Sequence, residues 1–237
     1  MTRRFGVLIP STNTTVEMEC RLVPSTYQAH VGRLMSSGGG SFSPSRDDDI
    51  DYQSRLLGTA KVEIVILAQT SASLFADDYD DVVTKRMSAG AGVPAITSAQ
   101  AVGRAVRALG ARRIAIVSPY SDPVNERAAR YFKTRHGLDT IALEGFRATD
   151  AYAIGQLGPE HARDAFVRID RPDIEAFVVP GGNFPTMASI AAWEREFRKP
   201  VIATNQASIW AMLRAFDSAD RLPAFGRLLA ELPGDAS

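Results

Sequence analysis

The chain has 237 residues, enough to bury a substantial core as one domain or as two small ones. Its 27 basic residues balance 27 acidic ones without a basic stripe, which argues against nucleic acid or an anionic membrane as the main partner. The single cysteine, Cys20, excludes an intramolecular disulfide and a zinc-type cysteine cluster.

The first ten residues are basic and then apolar, but the apolar stretch ends at Pro10 and runs into polar residues. It therefore reads as a first strand rather than a signal peptide. Strands are predicted at 4–10, 28–35, 62–68, 93–96, 112–117, 139–146, 175–180 and 200–203. Helices are predicted at 13–23, 47–60, 77–90, 98–109, 121–136, 159–169, 185–198 and 205–217. Most of the strands are continuous Val/Ile/Leu/Ala runs, as expected of strands covered on both faces. None has the length needed to span a bilayer. Strands alternating with helices specify parallel sheets with right-handed crossovers. Asp122-Pro123 and Gly158-Pro159 carry helix-start chemistry. The glycine-rich stretch Ser36 to Ser41 is predicted to be a loose connection, with a mobile lid as the other reading. Residues 219–237 are expected to form a terminal helix and tail. The acidic runs at 47–49 and 77–81 fit helix N-termini, so no metal site is predicted. The expected setting is cytoplasmic.

The chain contains the same half twice. When Pro94 is aligned with Pro200, Gln100-Ala101 falls on Gln206-Ala207 at the same offset. Gly6-Val7-Leu8-Ile9-Pro10-Ser11 is matched by Ile114-Ala115-Ile116-Val117-Ser118-Pro119, and Ile64 to Ser71 by Ala176 to Asn183. The predicted fold class is α/β, two pseudosymmetric parallel-sheet halves with a cleft between them. The expected boundaries are 1–97 plus 204–237 for the first half and 98–203 for the second.

Ligands of open parallel sheets bind beyond the carboxyl ends of the strands. Four loops are expected there: 10–15, 69–73, 118–121 and 180–183. They offer hydroxyls, amides and helix-start N–H groups with few formal charges, which suits a small carboxylate. The same donors suit the enolate formed when a carboxylate-bearing carbon loses a proton or CO₂. Helix capping is the competing reading for Ser11, Thr12, Thr70, Ser71 and Ser121 taken singly.

At these loops the sequence resembles the aspartate/glutamate racemase superfamily, in the branch of maleate cis-trans isomerase and arylmalonate decarboxylase. The resemblance rests on Gly6 to Glu17, on Thr70-Ser71, on Tyr120 with Val124 to Arg127, and on Pro200 to Leu213. It implies the two-half α/β fold and a small-carboxylate substrate, with no cofactor. It also implies substrate contact by Asn13, carboxylate binding by Thr70, Ser71 and Tyr120, and a homo-oligomer as the superfamily's common state. The superfamily's two catalytic cysteines would fall on Gln69 and Gly181, the second with a possible slip to Pro180. A second isomerase asparagine would fall on Ala151.

Thiolate chemistry is therefore not expected. The expected function is a lyase or isomerase working through an enolate held by hydroxyl and backbone donors. Its catalytic positions would be Tyr120, Gln69 and Gly181, and its substrate-binding positions Asn13, Thr70, Ser71, Gly182 and Asn183. Two alternatives stay open. One is hydrolysis of a cyclic or amide substrate in a degradative pathway, with Gln69, Asn13 or Asn183 orienting a water. The other is a non-catalytic carboxylate-binding homologue. His30, His136 and His161 are expected to be structural or exposed, Cys20 a buried thiol, and Asp150 and Glu17 the nearest titratable candidates.

Overall fold

A computed structural model describes residues 2–38 and 42–235. Strands β1 (Arg3–Pro10), β2 (Tyr27–Leu34), β3 (Val65–Leu67) and β4 (Ala95–Thr97) form one parallel sheet in the order β2-β1-β3-β4. Strands β5 (Arg113–Ser118), β6 (Asp139–Gly145), β7 (Ala176–Val179) and β8 (Val201–Ala203) form a second in the order β6-β5-β7-β8. The two orders are identical under a shift of four strands, so the halves are pseudosymmetric. We propose 1–97 with 204–237, and 98–203, as the division between them.

The first sheet carries α1 (Val16–Cys20), α2 (Asp47–Thr59) and α3 (Tyr79–Ala91). The central pair α4 (Ser98–Ala108) and α9 (Thr204–Ala215) leave β4 and β8 and pack on each other. The second sheet carries α5 (Asp122–His136), α6 (Ala151–Gly155), α7 (Pro159–Ile169) and α8 (Ile190–Phe197); α10 (Arg227–Glu231) lies against α9. The repeated Gln-Ala motif is a pair of equivalent helix starts. Gln100 Oε1 accepts from Thr97 N at 3.1 Å, and Gln206 Oε1 accepts from Ala203 N at 3.2 Å.

One apolar cluster runs through both halves, from Phe5 and Ile66 through Ile116 and Val178 to Trp210 and Leu229. A smaller one, with Leu8, Ile50, Leu57 and Val83, seals the outer face of the first sheet under α2 and α3.

The structure differs from the sequence reading in several places. The first helix is five residues long rather than 13–23, because Asn13 Oδ1 accepts from the N–H groups of Thr15 and Val16 and sets a later start. The segment predicted as a helix at 185–198 begins with a 3-10 turn, Met187–Ser189. The helix α6 and the 3-10 turn Thr70–Leu74 have no counterpart in the sequence reading. Of the predicted loose connection, Gly39 to Ser41 lie outside the described residues.

Candidate functional site

Each strand end delivers a short, internally tied loop. After β1, Asn13 caps α1 through its side-chain oxygen, leaving its amide N–H₂ without a partner among the described residues. After β3, the chain turns at once into the 3-10 turn that begins with Thr70 and Ser71. After β5, Ser118 Oγ donates to Asn125 Oδ1 and accepts from Tyr120 N at 3.2 Å, while Asn125 Nδ2 donates to Tyr120 O at 3.1 Å. These bonds fix Tyr120 at the mouth of the second sheet. After β7, Gly181 takes φ +110°, a backbone conformation that favours glycine, and a Cβ there would lie 2.8 Å from Pro119 Cγ.

The four loops meet around a cavity of about 40 Å³. All eight predicted site residues line it: Asn13, Gln69, Thr70, Ser71, Tyr120, Gly181, Gly182 and Asn183. Pro10, Ala68, Ala151 and Ile154 complete the wall with apolar surface. A larger open groove of about 830 Å³ lies along α1 and the edge of β2 but shares no residue with this cavity. Its lining, which includes Glu17, Cys20 and Arg33, brings together none of the convergent donors.

A hydroxyl network sits at the junction of the halves. Thr70 Oγ1 lies 3.0 Å from Ser98 Oγ and 3.2 Å from Thr204 Oγ1, the first residues of α4 and α9. Thr204 Oγ1 also accepts from Gly181 N at 3.0 Å. Tyr120 is buried, and that burial raises its phenol pKa above the ordinary value, with the nearby Thr70 hydroxyl acting in the opposite direction. It is therefore a neutral donor at physiological pH. The backbone N–H groups of Gly182 and Asn183 have no acceptor among the described residues.

Two of the predicted water-orienting amides are already occupied. Gln69 Oε1 accepts from Ser45 N at 3.1 Å and from Ser45 Oγ at 2.8 Å, and its Nε2 donates to Ser43 O at 2.8 Å. Gln69 thus ties down the loop before α2. Asn183 Oδ1 accepts from Thr14 N at 2.8 Å and Thr15 N at 3.1 Å, while its Nδ2 donates to Ala151 O at 2.6 Å. With the oxygen of each amide engaged and its nitrogen already donating once, Gln69 and Asn183 are held by the fold, whereas the Asn13 amide nitrogen has no partner among the described residues.

The other titratable candidates lie outside the cavity lining. Asp150 accepts from Ala153 N and caps α6, and Glu17 pairs with Arg33 at 3.2 Å and with Arg21 at 3.3 Å. His136 is packed against Tyr131, and burial lowers its pKa to about 4. His161 Nδ1 accepts from Gly158 N at the start of α7, and His30 lies in β2. Cys20 is buried, with its thiol pushed up to about 12, chiefly by desolvation. Sequence reasoning missed Ser98, Thr204 and Glu19. The first two were signalled by the repeat, because both follow the last strand of a half. Among the described residues no group of three His, Cys, Asp or Glu side chains could hold a metal ion. None of the described helices is long and apolar enough to cross a membrane.

A family model described as arylmalonate decarboxylase matches residues 34–229. Arylmalonate decarboxylase of Bordetella bronchiseptica is 29% identical over 239 residues, covering 97% of this chain and 98% of that protein. Maleate isomerase of Nocardia farcinica is 25% identical over 245 residues, covering 97% and 96%. Among solved structures, maleate isomerase from Pseudomonas putida S16 with maleate superposes with a TM-score of 0.86 at 26% identity, covering 97% of this chain and 98% of that one. The two-sheet architecture, the paired strand-end loops and this match over most of the length agree: the chain belongs to the arylmalonate decarboxylase family, in the maleate isomerase and arylmalonate decarboxylase branch of the aspartate/glutamate racemase superfamily.

Proposed function

We propose that the chain is a lyase that decarboxylates a small malonate-type dicarboxylate through an enolate. The observation that carries this reading is the character of the cavity wall: neutral donors and apolar groups, with Tyr120 the only titratable side chain among its lining residues. Isomerisation by thiol addition needs a thiolate, proton abstraction needs a base, and hydrolysis needs an activated water. Loss of CO₂ needs none of these in its first step. The bond between the α-carbon and one carboxylate breaks, and its electron pair passes into the remaining carboxyl group as an enediolate. Donors from Thr70, Ser71, Tyr120 and Asn13, with the N–H groups of Gly182 and Asn183, are arranged to hold that developing charge. Pro10, Ala68, Ala151 and Ile154 give the departing carboxylate a dry wall. The enediolate carbon then takes a proton from the Tyr120 hydroxyl or from water. An enediolate is far more basic than a phenolate, so the transfer is downhill even with the Tyr120 pKa raised.

Proton NMR in D₂O with aryl- and alkylmalonates tests the reading, with maleate in the same panel. Loss of CO₂ with deuterium at the α-carbon is expected. Thr70→Ala and Tyr120→Phe should each lower kcat by about a hundredfold. Conversion of maleate to fumarate would replace the lyase reading with an isomerase. Binding without conversion would replace it with a carboxylate-binding homologue. We also propose a homo-oligomer in a cytoplasmic setting; light scattering on the purified protein tests the assembly state.

A further inference from the structure

Glu19 is a carboxylate that the chemistry above leaves unused, yet it is among the most deeply buried acids in the protein. It lies on α1 in the first half and is 7% exposed. Its Oε1 accepts from Thr186 N at 2.8 Å and from Met187 N at 2.9 Å, both in the second half. Its Oε2 accepts from Asn205 Nδ2, on α9, at 2.6 Å. The same Asn205 amide nitrogen donates to Gly182 O at 2.9 Å. Burial pushes the Glu19 carboxyl above its ordinary range, and the three hydrogen bonds act in the opposite direction. Donors alone face its two oxygens, an arrangement that suits the ionised form.

We infer that Glu19 is a positioning residue: through Asn205 it holds the Gly182 carbonyl, and so aims the Asn183 N–H that belongs to the same peptide plane. The geometry of a trans peptide carries the inference, because its N–H points opposite to its C=O. Gly182 and Asn183 both line the cavity, so anchoring one face of that peptide sets the direction of a donor on the other. The preceding peptide is fixed in the same way, with Gly181 O accepting from Phe184 N at 2.9 Å. Glycine at 182 permits the approach: a Cβ there would lie 3.1 Å from Asn205 Oδ1. Asn205 Oδ1 is itself buried without a partner, so what fixes the amide's orientation is what its nitrogen reaches, Glu19 and Gly182. The role rests on the proposed enolate chemistry only for its effect on rate; the orientation of the peptide stands apart from it.

Glu19→Gln is the decisive substitution. Its side-chain oxygen can still accept from Thr186 and Met187, but its new N–H₂ faces the N–H₂ of Asn205. Relief comes from turning the Asn205 amide over, which puts oxygen against the Gly182 carbonyl and breaks that link. The expected result is a shift of the Gly182 and Asn183 amide resonances in ¹⁵N–¹H spectra of the full chain. With a malonate that turns over, kcat should fall by about tenfold or more while KM changes by less than about threefold. Asn205→Ala, which spares the bonds from Thr186 and Met187, should reproduce both effects, and the double variant should be no worse than the more impaired single one. Unmoved Gly182 and Asn183 resonances in both variants, or additive losses in kcat, would overturn the inference. If the wild-type protein converts no malonate, the lyase reading falls, and the amide resonances alone decide the role of Glu19. If Glu19→Gln does not fold, Asn205→Ala carries the same test.

Discussion

Gly181 sits where the family resemblance would put a catalytic thiol, and its backbone shows why a thiol cannot simply be restored. At φ +110°, with Pro119 Cγ 2.8 Å from a would-be Cβ, any side chain strains the turn. Gly181→Cys is therefore expected to cost about 1–3 kcal/mol in urea unfolding and to confer no conversion of maleate to fumarate. Either a stable variant or a gain of isomerase activity would show that the loop adapts. Tyr120 yields a prediction about pH. Its phenol pKa is raised by burial, so the neutral donor persists to higher pH than an ordinary tyrosine and is lost only as pH rises through the raised value. The kcat–pH profile should then show no alkaline limb from this group below about pH 10. A limb in the range of an unperturbed tyrosine, absent in Tyr120→Phe, would contradict that assignment.

Between elements, single polar side chains do the joining. Asn183 links the loop after β7 to the start of α1 and to α6, and Asn183→Ala would leave the N–H groups of Thr14 and Thr15 without that acceptor. A loss of about 1–3 kcal/mol is expected in chemical denaturation. Glu194 does a similar job away from the cavity, with Oε1 accepting from Val201 N at 3.0 Å and Oε2 from Arg227 N at 2.7 Å. Desolvation raises its pKa, so the folded state holds that proton more tightly than the unfolded chain. Its contribution to stability is thus full below the unfolded value and is lost as pH rises through the folded one. Relative to wild type, Glu194→Gln should gain stability as pH rises from about 4 to 7, read as the difference in urea midpoints. A difference that is constant with pH would mean the group titrates normally. These links also mark the limit of what the sequence makes legible. The predicted strands match the eight observed ones to within a few residues. The buried ones, such as β3, β7 and β8, are legible because a strand covered on both faces is an apolar run. The edge strands β2 and β6 are only partly buried and carry polar residues such as Gln28, Arg33 and Glu144. Glu19 reads as one acid among several on a polar helix. It is buried only because α1 is short and docks on the turn at 186–187 and on α9, contacts separated from it by most of the chain. The turn at 70–74 and α6 escape for the same reason: both are single turns held by tertiary partners rather than by periodicity.

For the molecule as a whole, the repeat Gln100-Ala101 and Gln206-Ala207 translates into two helix starts that meet at the centre. Ser98 and Thr204, the residues that open those helices, both reach Thr70. Duplication thereby builds one site rather than two: each half supplies two of the four loops, and the hydroxyl network closes only when the halves are together. Gln69 and Gly181 fall in the cavity lining as the alignment of halves places them, while the use of the Gln69 amide to hold Ser43 and Ser45 depends on a loop with no echo in the second half. The apolar cluster that runs through both sheets implies that the halves unfold together. Urea transitions followed by far-UV circular dichroism and by the fluorescence of Trp193 and Trp210 should therefore coincide. A malonate that binds across the junction must stabilise both halves at once. At a ligand concentration about 100 times its Kd the gain should be about 2.7 kcal/mol, and both probes should move to the new midpoint. In Thr70→Ala the same malonate concentration should move them less. Separate transitions, or a ligand that shifts only one probe, would mean that the cavity belongs to one half and that the shared network is not what the carboxylate engages.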